Sequence, residues 1–201
     1  MLTSDKISSL VIDTLRDRTR EQNTAVLCLY CDYQPKAQKE QSAVNMIGGL
    51  LRQVHWEAIG IRQEIRSAFN ESKRRGGQGL RMPDMLKFFV RVISSIDQVY
   101  LCVDGVDELL PENRSEFLRA LRQIIQDVPN TRLFLTTRLC IRKELSQHLS
   151  ADPYSIKIVA DQGDVARYLN HKMDNDRDPG IMPADLRKDI MSTILGKASE
   201  M

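Results

Sequence analysis

The sequence predicts an α/β fold: a parallel sheet covered by helices on both faces, in three αβα layers. Three observations predict it. Apolar runs of strand length alternate with longer stretches of helical periodicity. The runs are continuous rather than alternating, as in strands buried on both faces. One run, Val99 to Val103, ends in acids at Asp104, Asp107 and Glu108, where strand ends of such sheets face a ligand crevice.

The elements follow in order. Residues 2–20 place Ile7, Leu10, Val11 and Leu15 on one helix face. The run Ala25 to Tyr30 predicts a buried strand, broken at Gln34, Pro35 and Lys36. Residues 40–56 predict a helix with Val44, Ile47, Leu51 and Val54 on its stripe, weakened by Gly48 and Gly49. A second helix covers 62–73, followed by a basic, glycine-rich loop over 73–79, read as solvated. Pro83 suits the first turn of the next helix, whose face is Leu86, Phe89, Val90 and Ile93. Val99 to Val103 is the second strand. After the acids, Phe117, Leu118, Leu121, Ile124, Ile125 and Val128 make a full amphipathic stripe, closed by Pro129 and Asn130. Residues 132–137 predict a third strand and 155–159 a fourth. Asp161 is a candidate cap for a helix carrying Val165, Tyr168, Leu169 and Met173. A charged turn over 174–179 precedes a last helix from Pro183, with Leu186, Ile190 and Ile194 on its face. The expected division is 1–174 and 175–201.

Bulk properties narrow the function. A chain of 201 residues with net charge +2 carries neither the basic excess of a nucleic-acid binder nor an acidic tail. No run is long enough to span a membrane, and Asp5 and Lys6 interrupt the start where a secretory segment would need apolar residues. The expected location is cytoplasmic. Cys28 and Cys31 form a C-x-x-C, but inside a strand their side chains point to opposite faces, which argues against a redox or zinc pair. His55, His148 and His171 are scattered, with no metal-protease or nucleophile-elbow pattern.

The acids carry the chemistry. Asp104, at the strand's end, is placed to hold a hydrated Mg²⁺, an ion that takes one or two carboxylates plus substrate phosphates. Asp107 and Glu108 are placed to orient or deprotonate a water in line with a γ-phosphate. The bland alternative is a strand-end turn followed by a solvated helix start.

This apolar-strand Asp-x-x-Asp-Glu form resembles the extended Walker B box of NACHT NTPases, within the STAND class of signalling ATPases and GTPases. The variety it resembles is that of fungal NOD-like receptors and nephrocystin-like N-terminal domains. Arg132 to Arg138 resembles the strand that ends in the family's sensor arginine, so the resemblance implies that Arg138 reads the γ-phosphate. Residues 156–169 resemble the last core strand and first lid helix. The implied fold is the P-loop NTPase-like αβα sheet with the start of a helical lid. Mg²⁺ with ATP or GTP is the implied cofactor set. Self-association, or contact with other signalling domains of a parent protein, is the implied partnership.

One part of the family pattern is missing. No G-x-x-x-x-G-K-[ST] occurs, and Gly76, Gly77 and Gly79 follow a predicted helix with no Lys-Ser/Thr after them. The core is therefore expected to be truncated at its N-terminal strand, a fragment of a larger switch or a short paralogue, and inactive alone. Without the phosphate loop, Asp104, Asp107 and Glu108 are a cluster of like charges. A nucleotide-free interaction module derived from the same fold is the alternative. A receiver-like phospho-acceptor is disfavoured, because Asp32 stands alone and Arg138 is not a lysine.

Overall fold

The computed structural model describes residues 4–54, 59–74, 76–77, 79–149, 154–158, 162–175 and 182–198. The chain divides into two compact units, one over Ser4–Pro153 and one beginning at Tyr154.

The first unit holds the sheet. Three strands, β1 (Thr24–Tyr30), β2 (Gln98–Asp104) and β3 (Thr131–Leu135), lie in the order β1-β2-β3, all parallel. The register sets Tyr30 beside Asp104 and Val103 beside Leu135, so the three carboxyl ends share one edge of the sheet. Before β1 runs α1 (Ser4–Arg18); between β1 and β2 run α2 (Pro35–Glu40), α3 (Ala43–Gln53), α4 (Ile59–Arg74) and α5 (Met82–Ile93); α6 (Pro111–Asp127) joins β2 to β3, and α7 (Arg142–Leu149) follows β3. This is the mixed α/β, helix-flanked parallel sheet that the alternation of runs predicts.

The two faces of the sheet are unequal. On one, Leu27, Val99, Leu101 and Val103 join the main core with Ile47 and Leu50 of α3, Phe89 and Ile93 of α5, and Phe117 and Leu121 of α6. On the other, α1 covers the strands, burying Ser8 and Ile12 while Cys102 is buried from the sheet. The α1 face is thus centred on Ser8 and Ile12. The sequence reading placed Leu10 on it, but Leu10 is 64% exposed, because burial tracks the contact with the sheet and not hydropathy alone.

β2 is buried on both faces, as its continuous apolar run predicts. β1, with a similar run, is not. It is the edge strand, only Leu27 is buried, and Tyr30 is half exposed. Its outer edge is closed by side chains. The Gln53 amide donates to the Cys28 carbonyl at 2.7 Å and accepts from the Cys28 N–H at 2.8 Å. Gln41 brackets Asp32 in the same way, at 2.7 and 3.0 Å. Each glutamine takes the place of a neighbouring strand's backbone. Across the sheet, Thr136 turns its N–H and carbonyl toward Val103 and Val106, so Leu133 and Leu135, out of phase with it, turn theirs outward. Among the described residues no hydrogen bond reaches Leu133 or Leu135, while Thr131, in phase with them, is bonded locally by Val128 and Arg132.

Two helix boundaries differ from the sequence reading. The helix expected over 40–56 breaks at Gln41 and Ser42, and Ser42 then caps α3 by accepting from the Asn45 N–H. Pro35, read as a breaker, begins α2 at a position where proline's missing N–H is harmless. Trp56 lies outside the described residues.

In the second unit, α8 (Gln162–Asp174) and α9 (Ala184–Ala198) pack together, with Arg187 bonded to Asp174 at 2.8 Å and to Asn170 at 3.0 Å. The expected fourth strand is absent over its described part. Residues 154–158 have no regular structure, and Tyr154, Ile156 and Ile158 are exposed. An alternating pattern is a strand only where it pairs, and these residues pair with none of the three strands. Val159 and Asp161 lie outside the described residues. No helix among those described is long and apolar enough to cross a membrane.

Candidate functional site

The structure brings the three predicted acids and Arg138 together beyond the carboxyl ends of β2 and β3. Asp104 is the last residue of β2 and is buried, at 6% exposure. Its Oδ1 accepts from Ser8 Oγ of α1 at 2.6 Å and from Thr136 Oγ1, which follows β3. Thr136 Oγ1 in turn accepts from the Gly105 N–H at 3.0 Å. A buried carboxylate costs several kcal/mol unless hydrogen-bonded, roughly as a charge in a poorly solvating medium. Two hydroxyls from different layers meet part of that cost and lock the strand end to α1.

The chain then turns sharply. Gly105 takes φ +69°, a left-handed conformation open to glycine, and a Cβ there would lie 3.4 Å from Glu108 Cδ. The turn leads into a short 3₁₀ segment, Val106–Glu108, which points Asp107 and Glu108 in different directions. Asp107 faces the end of β3. Its Oδ1 accepts from the Arg138 N–H at 3.0 Å and its Oδ2 lies 3.4 Å from Arg138 Nε. The Asp107 carboxylate is 8% exposed, whereas the guanidinium is largely in solvent. Glu108 faces the loop after β1. Its Oε2 accepts from the Tyr33 N–H at 3.2 Å, and its carbonyl accepts from Gln38 Nε2 at 3.3 Å.

Burial lifts the Glu108 carboxyl above its ordinary range. Asp107 and Asp32 push the same way, while the Tyr33 N–H and Arg138 oppose. Cys31 lies beside these acids. Burial, then Glu108, Asp104 and Asp107, push its thiol up to about 12, so it stays protonated at neutral pH. Cys28 is not its partner. All four cysteines are free, and Cys28 instead lies near Gln53 and Arg16. Cys140 is exposed.

Sequence reasoning missed Ser8, Thr136 and Arg114. Arg114 is nearly buried and ties the site's base together. It donates to the carbonyls of Asp107 and Leu109 at 3.2 and 3.0 Å, and its Nε pairs with Glu144 of α7 at 2.9 Å. Thr136 had a readable signal, a hydroxyl one step past a strand expected to neighbour the acidic one. Ser8 and Arg114 had none.

The donor set bears on a metal. Asp104 with two hydroxyls offers hard oxygens, the class that Mg²⁺ takes. No group of three or more His, Cys, Asp or Glu among the described residues is arranged to hold an ion. The residues fit Mg²⁺ only as a one-carboxylate site completed by phosphate and water. In the glycine-rich loop, Gly76 and Gly77 are exposed, as the reading of a solvated loop expects, while Gly79 is half-buried.

A family model described as "Nephrocystin 3, N-terminal" matches residues 6–138, a span that takes in all three strands, the acids and Arg138. No curated protein and no solved structure matches the chain.

Proposed function

The chain belongs to the Nephrocystin 3 N-terminal family, and from that premise we propose that it is part of a NACHT-type, STAND-class nucleotide-binding switch. One observation carries this reading: Asp104, Asp107, Glu108 and Arg138 converge beyond the carboxyl edge of a parallel sheet, where such sheets bind ligands. In it, residues 1–174 are the NTPase core and 175–201 begin a helical lid. The parent protein is cytoplasmic, and assembles with itself or with other signalling domains.

Each residue then has a role. Asp104, pre-oriented by Ser8 and Thr136, holds Mg²⁺, which when bound neutralises phosphate charge. Glu108 orients or deprotonates the attacking water, and the upward shift of its carboxyl makes it a stronger base than an ordinary carboxylate. Asp107, expected to share that work, has both oxygens turned to Arg138, so its part is to hold the arginine at the crevice. Arg138, with its guanidinium in solvent, reads the γ-phosphate of ATP or GTP.

The phosphate-cradling glycine-rich loop is the element this set lacks, so the chain alone should bind nucleotide weakly and turn it over negligibly. Manganese, a paramagnetic stand-in for magnesium, tests the metal role. Millimolar Mn²⁺ should broaden the amide resonances of Gly105, Val106 and Thr136, and Asp104→Asn should abolish the effect. Uniform broadening that Asp104→Asn leaves intact would refute the magnesium role. Steady ATP or GTP hydrolysis by the chain, lost in Glu108→Gln, would support the water role and overturn the expected inactivity.

The second reading, a nucleotide-free interaction module of the same fold, is favoured by the engagement of Asp107 and Arg138 with each other. It predicts no nucleotide-dependent shift at Arg138 in the same spectra.

A further inference from the structure

On the far side of β1 from β2, a groove of about 810 Å³ opens between α3, α4 and α5. It contains none of the acids of the site above. Its floor is the half-buried flank of α3 at Gly48 and Gly49. Leu29, Ile65 and Met85 wall it, and Tyr30 and Phe69 stand at its mouth, 53% and 38% exposed.

The two glycines are the feature that internal packing does not explain. Glycine is the poorest residue short of proline for a helix interior, and α3 carries two in succession. Neither has a positive φ. Neither is forced by crowding: a Cβ on Gly48 would meet Met85 Cε at 3.4 Å, and one on Gly49 would meet Leu29 Cδ2 at 3.5 Å, ordinary contact distances. Alanine would fit both positions and favour the helix. What the glycines do is leave the groove floor bare, so that an occupant can lie against backbone.

Charge says what kind of occupant. Arg52 and Arg66 line the groove and have no ion-pair partner among the described residues, while Glu40 is the one acid in the lining. An apolar trough in the size range of small-ligand sites, edged by a cationic excess, matches a molecule with an apolar body and an acidic head. We propose that this groove binds a small amphiphilic anion, an aliphatic or aromatic body bearing one carboxylate or sulfonate, seated on Gly48 and Gly49 with its head toward Arg52 and Arg66. The proposal is independent of the nucleotide reading.

Anilinonaphthalene sulfonate, an aromatic body with one anionic head, is the probe. Added to the full chain, it should show saturable fluorescence enhancement at one site per chain. Dodecanoate should displace it, and dodecyltrimethylammonium should not. Gly48→Leu, which fills the floor with a good helix former, should weaken binding at least about tenfold while the melting temperature holds or rises. Should that variant fold poorly, the exposed changes Phe69→Glu and Arg52→Glu with Arg66→Glu give the same reading without touching the core. Non-saturable binding, or affinity unchanged in these variants, overturns the proposal. So does equal displacement by the cationic amphiphile. A concentration-dependent dimer abolished by Gly48→Leu would overturn it in favour of a second copy of the chain as occupant.

Discussion

The thiol of Cys31 has carboxylates around it and little solvent, and Cys102 is also pushed up, to about 11, chiefly by burial. Neither forms a thiolate near neutral pH. Iodoacetamide should therefore alkylate exposed Cys140 first, with Cys31 and Cys102 labelled only when the chain unfolds. Peptide mass mapping over a labelling time course checks this, and equal native rates at Cys31 and Cys140 would contradict it. Glu108 gives a pH prediction. Its folded pKa is raised, so the folded state holds that proton more tightly than the unfolded chain does. The favourable contribution is present at low pH and is lost as pH rises through the folded value. Glu108→Gln removes the charge and keeps an acceptor for Tyr33. In thermal melts from about pH 4 to about pH 7, the variant should gain on the parent chain as pH rises. At this scale the acids were legible, because a buried run that stops in Asp-x-x-Asp-Glu leaves few placements for its carboxylates. Ser8 was not. It meets Asp104 across 96 positions of sequence, and a serine on an apolar helix face gives no sign of what it faces.

At the scale of elements, periodicity found the helices and strands but not their surroundings. β1 and β2 have similar apolar runs, yet only β2 is buried on both faces, since position in the sheet depends on pairing and not on composition. Residues 154–158 show the converse error, an alternating pattern that pairs with no strand. The tight turn after β2 is a local element with a local cost. Gly105→Ala should destabilise the chain by about 1–2 kcal/mol, the usual penalty for a side chain in the left-handed region. Urea unfolding measures it, and a neutral effect would mean the turn tolerates a Cβ.

For the whole molecule, the main core closes within the first unit, running from Leu27 to Ile141 with Leu145 and Leu149 packed against it. A chain of residues 4–149 should therefore keep a cooperative melt within a few degrees of the full one, read by circular dichroism. Loss of cooperativity would mean that α8 and α9 are needed for the sheet. The glutamine brackets on β1 have a consequence for assembly. A sheet bare on both sides can recruit copies without end and grow into a ribbon. Here one margin is stoppered at Cys28 and Asp32, and the other has no backbone partner at Leu133 and Leu135 among the described residues. Strand-to-strand recruitment between copies would use up the open margin once and then halt, leaving a closed pair instead of a fibre.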